Sequence, residues 1–187
     1  RDCHRARLGS ESMTVVGNFE QLRLDAGLGP GRLFDPAIRP PVLALRRDLV
    51  PGVAFHPAVA AWFECRFPAG PTPPQVEAWP LIASGRHTLV AAPTGSGKTL
   101  AGFLMAINRL YLAHAKGLDV SGTRVVYVSP LKALAVDIAE NLERPLAEIA
   151  ETAAALGLSA PALTVAVRTG DTPTSERQAM VRRPRTF

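Results

Sequence analysis

The sequence predicts an α/β fold in which a parallel sheet is flanked by helices. Three short apolar runs, at residues 87–91, 123–129 and 163–168, alternate with stretches of helical periodicity. Strands that are apolar throughout are typical of sheets buried on both faces, and strands that alternate with helices form parallel βαβ units. We therefore expect three parallel strands with helices packed against them.

Proline and glycine mark the first two predicted helices. Pro57 opens a helix over residues 58–65, and Pro73 with Pro74 opens a second helix that ends before Gly85. Proline is favoured in the first turn of a helix because its missing N–H group would have no partner there, and glycine is favoured just after the last turn. The two helices therefore precede the first apolar run.

Three more helices are predicted between and after the apolar runs. They cover residues 98–115, 131–156 and 173–183. Pro145 lies inside the second of these, and we expect it to break or kink the helix because proline removes a backbone hydrogen bond.

The first fifty residues differ from the rest of the chain. They show no sustained period and contain clusters of glycine and proline at 27–31 and 39–41, which favour turns and extended backbone. We expect residues 1–50 to be an irregular leader or an accessory segment, and residues 51–187 to be one domain.

Composition excludes some classes of protein. The formal net charge of +5 and the pI of about 9.9 are compatible with an anionic partner such as nucleic acid but do not identify one. Two cysteines cannot form the disulfide framework of a small secreted domain, and no apolar stretch approaches the length of a membrane span. We expect a cytoplasmic protein without a membrane partner. Because the chain begins with Arg1 and ends after a basic run, we also expect a piece of something longer.

The most specific motif is the run APTGSGKT at residues 92–99, which we call the glycine loop. It follows a predicted strand and opens a predicted helix, the order that a phosphate-binding P-loop (Walker A motif) requires. Gly95 and Gly97 let the backbone curl so that its N–H groups converge on phosphate oxygens. Lys98 adds a positive charge, and Thr99 offers a hydroxyl ligand to Mg²⁺.

The glycine loop departs from the general pattern at its first position, where Ala92 replaces glycine. We predict that it binds ATP and Mg²⁺. Lys98 and Thr99 are the candidate catalytic residues, because they contact the reacting phosphates and the metal. The predicted cofactor-binding residues of the loop are Thr94, Gly95, Ser96, Gly97, Lys98 and Thr99.

A glutamine precedes the glycine loop by one helix. Residues 71–75 read PTPPQ and resemble the Q motif of superfamily 2 helicases. The resemblance implies that Gln75 contacts the adenine of ATP, and an amide suits that task because it offers a donor and an acceptor together.

Two later segments resemble nucleic-acid-binding motifs of the same enzymes. The strand predicted at 123–129 leads into PLKAL, which is similar to motif Ia. The resemblance implies that Pro130 and Lys132 lie on the nucleic-acid face, where free N–H groups of a helix start and a lysine charge favour phosphate.

The block RTGDTP at residues 168–173, together with AWF at 61–63 and AWP at 78–80, resembles the Lhr-like (large helicase-related) branch of the DEAD/DEAH box superfamily. This resemblance implies that Arg168 and Thr169 also face nucleic acid.

The family implies a motor that couples ATP hydrolysis to unwinding of nucleic acid, with DNA favoured over RNA and DNA repair as a setting. Hydrolysis also needs an acid on Mg²⁺ and an arginine finger. The sequence contains no Asp-Glu-x-His box, and we expect the second RecA-like domain to be missing from this chain. By itself the fragment is therefore expected to be inactive. The alternatives are a non-catalytic nucleotide-binding module and a P-loop kinase that acts on a small molecule.

Overall fold

The computed structural model describes residues 13–16, 49–129 and 132–187, with side chains over 49–129 and 142–187. Five helices and two short strands lie in these ranges. In chain order they are β1 (Met13–Val16), α1 (Pro57–Arg66), α2 (Pro73–Ala83), α3 (Lys98–Ala115), β2 (Val125–Val128), α4 (Lys132–Ala155) and α5 (Thr174–Arg182).

All five predicted helices are present, with ends within one or two residues of the prediction. The break expected at Pro145 is wrong, since α4 continues through it. Leu142 and Ile149, on either side of the proline, are 3% and 0% exposed. Burial of both flanking turns in one core keeps the helix continuous, although the proline cannot donate a backbone hydrogen bond.

The strand predictions are only partly confirmed. The second apolar run forms β2, which pairs in parallel with β1 so that Met13 lies opposite Val125. β1 lies within the segment expected to be irregular, and the rest of that segment, residues 1–12 and 17–48, is outside the described residues.

Residues 87–91 and 163–168 are not strands in the described structure. A strand is defined by its ladder of hydrogen bonds to a neighbour, and no neighbour pairs with 87–91 among the described residues. Leu89 there is 94% exposed. The third run has the beginning of a parallel ladder, because Phe187 N–H donates to Thr164 O and Ala166 N–H donates to Phe187 O, both at 2.9 Å.

Aromatic side chains form the centre of the core. Trp79 is completely buried and packs edge-to-face against Phe55 and Phe63, with ring centroids 5.2 and 5.4 Å away. Such geometry is favourable because the positive ring edge meets the negative ring face. Leu104 and Ile107 of α3 are also fully buried, so this core fixes the position of α3 and of the loop before it.

A buried asparagine on α3 is hydrogen-bonded to the segment before α1. Asn108 of α3 is 2% exposed. Its Oδ1 accepts from His56 N–H at 2.7 Å, and its Nδ2 donates to Ala54 O at 2.9 Å. His56 in turn caps α1, since its Nδ1 accepts from Ala58 N–H at 3.3 Å. One end of the amide thus pairs with the backbone of the buried His56, and the other pairs with the backbone of Ala54.

Among the helices in the described part of the chain, none has the length and apolarity needed to cross a membrane.

Candidate nucleotide site and nucleic-acid interface

The glycine loop has the backbone shape that its sequence predicts. Gly95 and Gly97 have φ angles of +77° and +80°, in the left-handed region that glycine adopts without strain. Gly97 is the N-cap of α3, and no side chain caps this helix end. The N-terminus of α3 therefore presents its first N–H groups and the positive end of its dipole at the loop, which favours an anion.

Lys98 folds back over the start of the loop. Its Nζ donates to Ala92 O and to Pro93 O, the second at 2.5 Å. The ammonium charge is therefore held by neutral carbonyl groups. Because charge-assisted bonds to phosphate oxygens are stronger than bonds to carbonyls, a phosphate entering the loop can draw this amine away from them.

Two side chains at the start of α2 support the loop from outside. Thr72 Oγ1 donates to Ser96 O at 2.9 Å, and Gln75 Nε2 donates to Gly97 O at 3.2 Å. Gln75 is 3% exposed, and its Oε1 accepts from Thr72 N–H at 3.0 Å. The glutamine thus links the first turn of α2 to Gly97, the N-cap of α3.

The contact between Gln75 and the loop is close. A Cβ atom at Gly97 would lie 2.6 Å from Gln75 Nε2, whereas a Cβ at Gly95 would meet nothing within 4 Å. Gly97 is therefore favoured by its backbone conformation, and a side chain there would also displace the Gln75 amide, whereas Gly95 is favoured by its conformation alone.

One buried polar atom in the loop fits a bound phosphate. Ser96 Oγ is buried and has no hydrogen-bond partner within the described residues. A buried hydroxyl without a partner is costly, and a phosphate oxygen would accept from it. The residues present therefore fit the phosphate groups of ATP. In the part of the chain that is described, no group of three acidic, histidine or cysteine residues could hold a metal ion, so the proposed Mg²⁺ contact depends on the Thr99 hydroxyl and the phosphates.

A second loop, residues 168–172 of the RTGDTP block, contains several internal hydrogen bonds. We call it the threonine loop. Thr172 N–H donates to Thr169 O at 3.3 Å in a turn. Thr172 Oγ1 accepts from Thr169 N–H at 2.8 Å, and Thr169 Oγ1 accepts from Asp171 N–H at 3.3 Å. The Arg168 side chain is exposed, so the loop presents this charge to solvent.

Arg177, on α5, binds the backbone of the threonine loop. Its Nε donates to Thr172 O at 2.7 Å, and its Nη2 donates to Thr169 O at 3.3 Å and to Gly170 O at 2.6 Å. A single half-buried guanidinium thus holds three carbonyl groups of the loop.

The structure brings together some of the predicted site residues. Gln75 contacts Gly97 directly, while Arg168 and Thr169 lie together on the threonine loop. Pro130 lies outside the described residues, and so does the side chain of Lys132, which begins α4.

Sequence reasoning missed three supporting residues, Thr72, Trp79 and Arg177. Trp79 Nε1 donates to Ala101 O at 3.2 Å and ties α2 to the first turns of α3. Thr72 had a signal, because threonine followed three residues later by glutamine is a capping pattern at a helix start. Arg177 had none, because a bond from a side chain to backbone carbonyls has no fixed spacing.

Two ionisable groups near the middle of α3 have shifted pKa values. Burial lowers the pKa of His56 below 6.5, and the nearby His114 lowers it further. Burial raises the pKa of Tyr111 to about 12. Both groups belong to the scaffold that carries α3, and neither lies in the two loops.

Comparison with known proteins places the chain in a family. A family model described as DEAD/DEAH box helicase matches residues 72–185. The chain is 53% identical over 130 residues to the "Lhr helicase/ probable uracil glycosylase" of Mycolicibacterium smegmatis, which covers 70% of this chain and 8% of that protein. It is 48% identical over 126 residues to the "ATP-dependent helicase Lhr-Core protein 2" of Thermococcus barophilus, with 67% and 14% covered.

A solved structure is also similar. The Mycobacterium smegmatis helicase Lhr bound to ssDNA and AMP-PNP superposes with a TM-score of 0.62 at 53% identity, over 70% of this chain and 16% of that one. This similarity supports an α/β helicase core, and the chain spans less than a fifth of the length of these relatives. The chain belongs to the DEAD/DEAH box helicase family, and the two relatives that it matches at 53% and 48% identity are Lhr helicases.

Proposed function

We propose that the glycine loop is the ATP·Mg²⁺ site of a helicase motor that couples ATP hydrolysis to the unwinding of nucleic acid. The observation that carries this proposal is the arrangement at the start of α3. Among the described residues, the helix N-terminus there has no side-chain cap, the lysine donates to loop carbonyls, and a buried serine hydroxyl has no partner. Each of these groups favours an incoming phosphate.

In this proposal Gln75 has two roles. Its contact with Gly97 supports the loop, and the second hydrogen on Nε2 and the second lone pair on Oε1 would contact the adenine edge. The solved relative was bound to AMP-PNP, which supports an adenine nucleotide as the ligand.

The nucleic-acid face in this proposal comprises Pro130, Lys132, Arg168 and Thr169. The relative's ssDNA supports single-stranded DNA as the track. Arg168 is exposed on the threonine loop, and a guanidinium can bind two phosphate oxygens at once. These contacts position the strand and carry no sequence information.

Binding and turnover are separable in this chain. Hydrolysis needs an acid that holds Mg²⁺ and an arginine that stabilises the transferred phosphate, and the 187 residues contain no Asp-Glu-x-His box. We therefore propose that this chain alone binds ATP without efficient turnover and contributes to unwinding only with a second RecA-like domain.

The test is a titration with fluorescent ATP and GTP analogues in the presence of Mg²⁺. Lys98→Ala is expected to weaken ATP binding about 10- to 100-fold, because a charge-assisted bond contributes roughly 1.5–3 kcal/mol. Lys116→Ala, a lysine just beyond the other end of α3, is the matched control and should change nothing.

Gln75→Ala separates its two roles in the same titration. We expect it to weaken ATP binding more than GTP binding, so that the preference for adenine is lost. An equal loss for both nucleotides would leave Gln75 with the supporting role only. If Lys98→Ala bound ATP as tightly as the unaltered chain does, the proposed nucleotide site would be wrong.

A further inference from the structure

The bonds of Arg177 account for most of the carbonyl groups of the threonine loop. Thr169 O, Gly170 O and Thr172 O all accept from its guanidinium at 2.6–3.3 Å. A planar guanidinium has five N–H donors in a rigid fork. The three contacts made here come from two of its nitrogens, Nε and Nη2. Among the described residues, no other side chain donates to more than one of these carbonyls.

These bonds decide which charges the loop can show to an anion. Carbonyl oxygens carry partial negative charge and repel phosphate, but here three of them point at a cation. The N–H groups of Thr169, Asp171 and Thr172 are used inside the loop. Two groups of the loop suit an outside anion: the exposed Arg168 side chain and the hydroxyl proton of Thr169, whose oxygen accepts from Asp171 N–H.

We propose that Arg177 is a positioning residue for nucleic-acid binding: by holding the carbonyls of the threonine loop, it sets Arg168 and Thr169 in place to bind one phosphate of a single strand. This inference rests on the proposed function, since it requires that the threonine loop contacts nucleic acid. Arg177 itself does not contact the strand.

The requirement is for arginine in particular. A lysine ammonium is a compact point charge on a flexible stem and cannot reproduce a planar fork that reaches three carbonyls in fixed directions. Charge alone should therefore not replace Arg177. The reverse holds for a side chain that binds phosphate directly, where lysine would retain much of the affinity.

The experiment measures binding of a fluorescein-labelled oligo-dT strand to the full 187-residue chain by fluorescence anisotropy, in the presence of Mg²⁺ and AMP-PNP. Arg168→Ala and Arg177→Ala are each expected to weaken binding about tenfold, the loss of roughly one charge-assisted contact. Arg177→Lys is expected to be as weak as Arg177→Ala. The double variant should be no more than about twofold weaker than either single one, because Arg177 acts through Arg168.

Arg182→Ala, on the same helix, removes an exposed charge without touching the threonine loop and should stay within about twofold of the unaltered chain. The affinity for the fluorescent ATP analogue should be unchanged in every variant, which a general loss of folding would not allow. Arg177→Lys keeps the charge and the stem and carries the test if Arg177→Ala does not fold.

The outcomes separate the two proposals. If the oligonucleotide does not bind, or Arg168→Ala has no effect, the proposed nucleic-acid role of the threonine loop is wrong. If Arg168→Ala weakens binding but the Arg177 variants do not, the positioning role is overturned. The positioning role is also overturned if Arg182→Ala weakens oligonucleotide binding as much as Arg177→Ala does. Restored binding by Arg177→Lys, with a salt slope in Arg177→Ala smaller by about 0.7, would instead show a direct phosphate contact.

Discussion

The glycine loop and the threonine loop are built alike in sequence but are held in different ways. Each follows an apolar run and precedes a helix. The glycine loop is supported from α2, by contacts between residues 22 and 24 positions apart. The threonine loop is held by contacts that span two to eight positions. The first loop therefore depends on packing of the helical core, whereas the second is supported by residues close to it in sequence.

This difference makes a prediction for each loop. Changes in the core or at the α2 contact should alter nucleotide binding and leave the threonine loop intact. Changes within the threonine loop or at Arg177 should alter nucleic-acid binding and leave nucleotide binding intact. If a change at one loop altered the binding of the other loop's ligand to this isolated chain, the two loops would not be supported independently.

The largest effect is expected from Gly97→Ala. The new side chain would have to adopt a left-handed backbone, at a cost of about 1–2 kcal/mol, and its Cβ would lie 2.6 Å from Gln75 Nε2. We expect binding of the fluorescent ATP analogue to fall about 100-fold or more. Gly95→Ala carries only the backbone cost and is expected to lose about tenfold.

The double variant Gly97→Ala/Gln75→Ala sharpens this result. It removes the close contact but keeps the backbone strain, so the cost of Gly97→Ala should be smaller when Gln75 is already alanine. Equal losses for Gly95→Ala and Gly97→Ala would show that α2 does not constrain the loop. Oligo-dT affinity measured without nucleotide should remain unchanged in all three variants.

The glycine loop could be predicted from the sequence because its information is local. Glycines at Gly95 and Gly97, followed by lysine and a helix, specify the backbone shape of the loop, although its support from α2 is not part of that pattern. The helices could be predicted for the same reason, since Pro57 and Pro73 mark their starts.

What could not be predicted depends on contacts that composition and spacing do not specify. Residues 87–91 have the composition of a strand, but a strand needs a partner to pair with, and composition does not supply one. Pro145 was expected to break or kink α4, but the helix continues through it, because the buried side chains on both sides outweigh one lost hydrogen bond. The contact of Arg177 with three carbonyls depends on backbone geometry that no residue pattern reveals.

A smaller effect is expected from Thr172→Val, which tests whether the threonine loop is supported locally. Valine has the shape of threonine but removes the oxygen that accepts from Thr169 N–H at 2.8 Å. We expect oligo-dT binding to weaken about three- to fivefold, because a neutral hydrogen bond contributes roughly 1 kcal/mol. Thr172→Ser keeps the acceptor and is the matched control. If valine and serine bound equally, this bond would not shape the loop.

The smallest effect concerns the core that carries the glycine loop. His56 is 5% exposed, and its Nδ1 must be unprotonated to accept from Ala58 N–H. Since burial lowers its pKa below 6.5, the unfolded chain takes up a proton at a higher pH than the folded chain does. The contribution of His56 to stability is therefore full well above pH 6.5 and decreases as the pH falls through that value.

Thermal unfolding at several pH values tests this link. Between about pH 7.5 and about pH 5.5 the Tm should fall by a few degrees. The fall should be smaller in His56→Asn, because asparagine can still cap α1 but does not titrate. His87→Asn, at an exposed position, controls for the loss of a histidine. The affinity for nucleotide should also decrease as the pH is lowered, because His56 N–H is bonded to Asn108 of the helix that begins at the glycine loop. A pH dependence that His56→Asn leaves unchanged would place the titrating group elsewhere and remove the link between this part of the core and the loop.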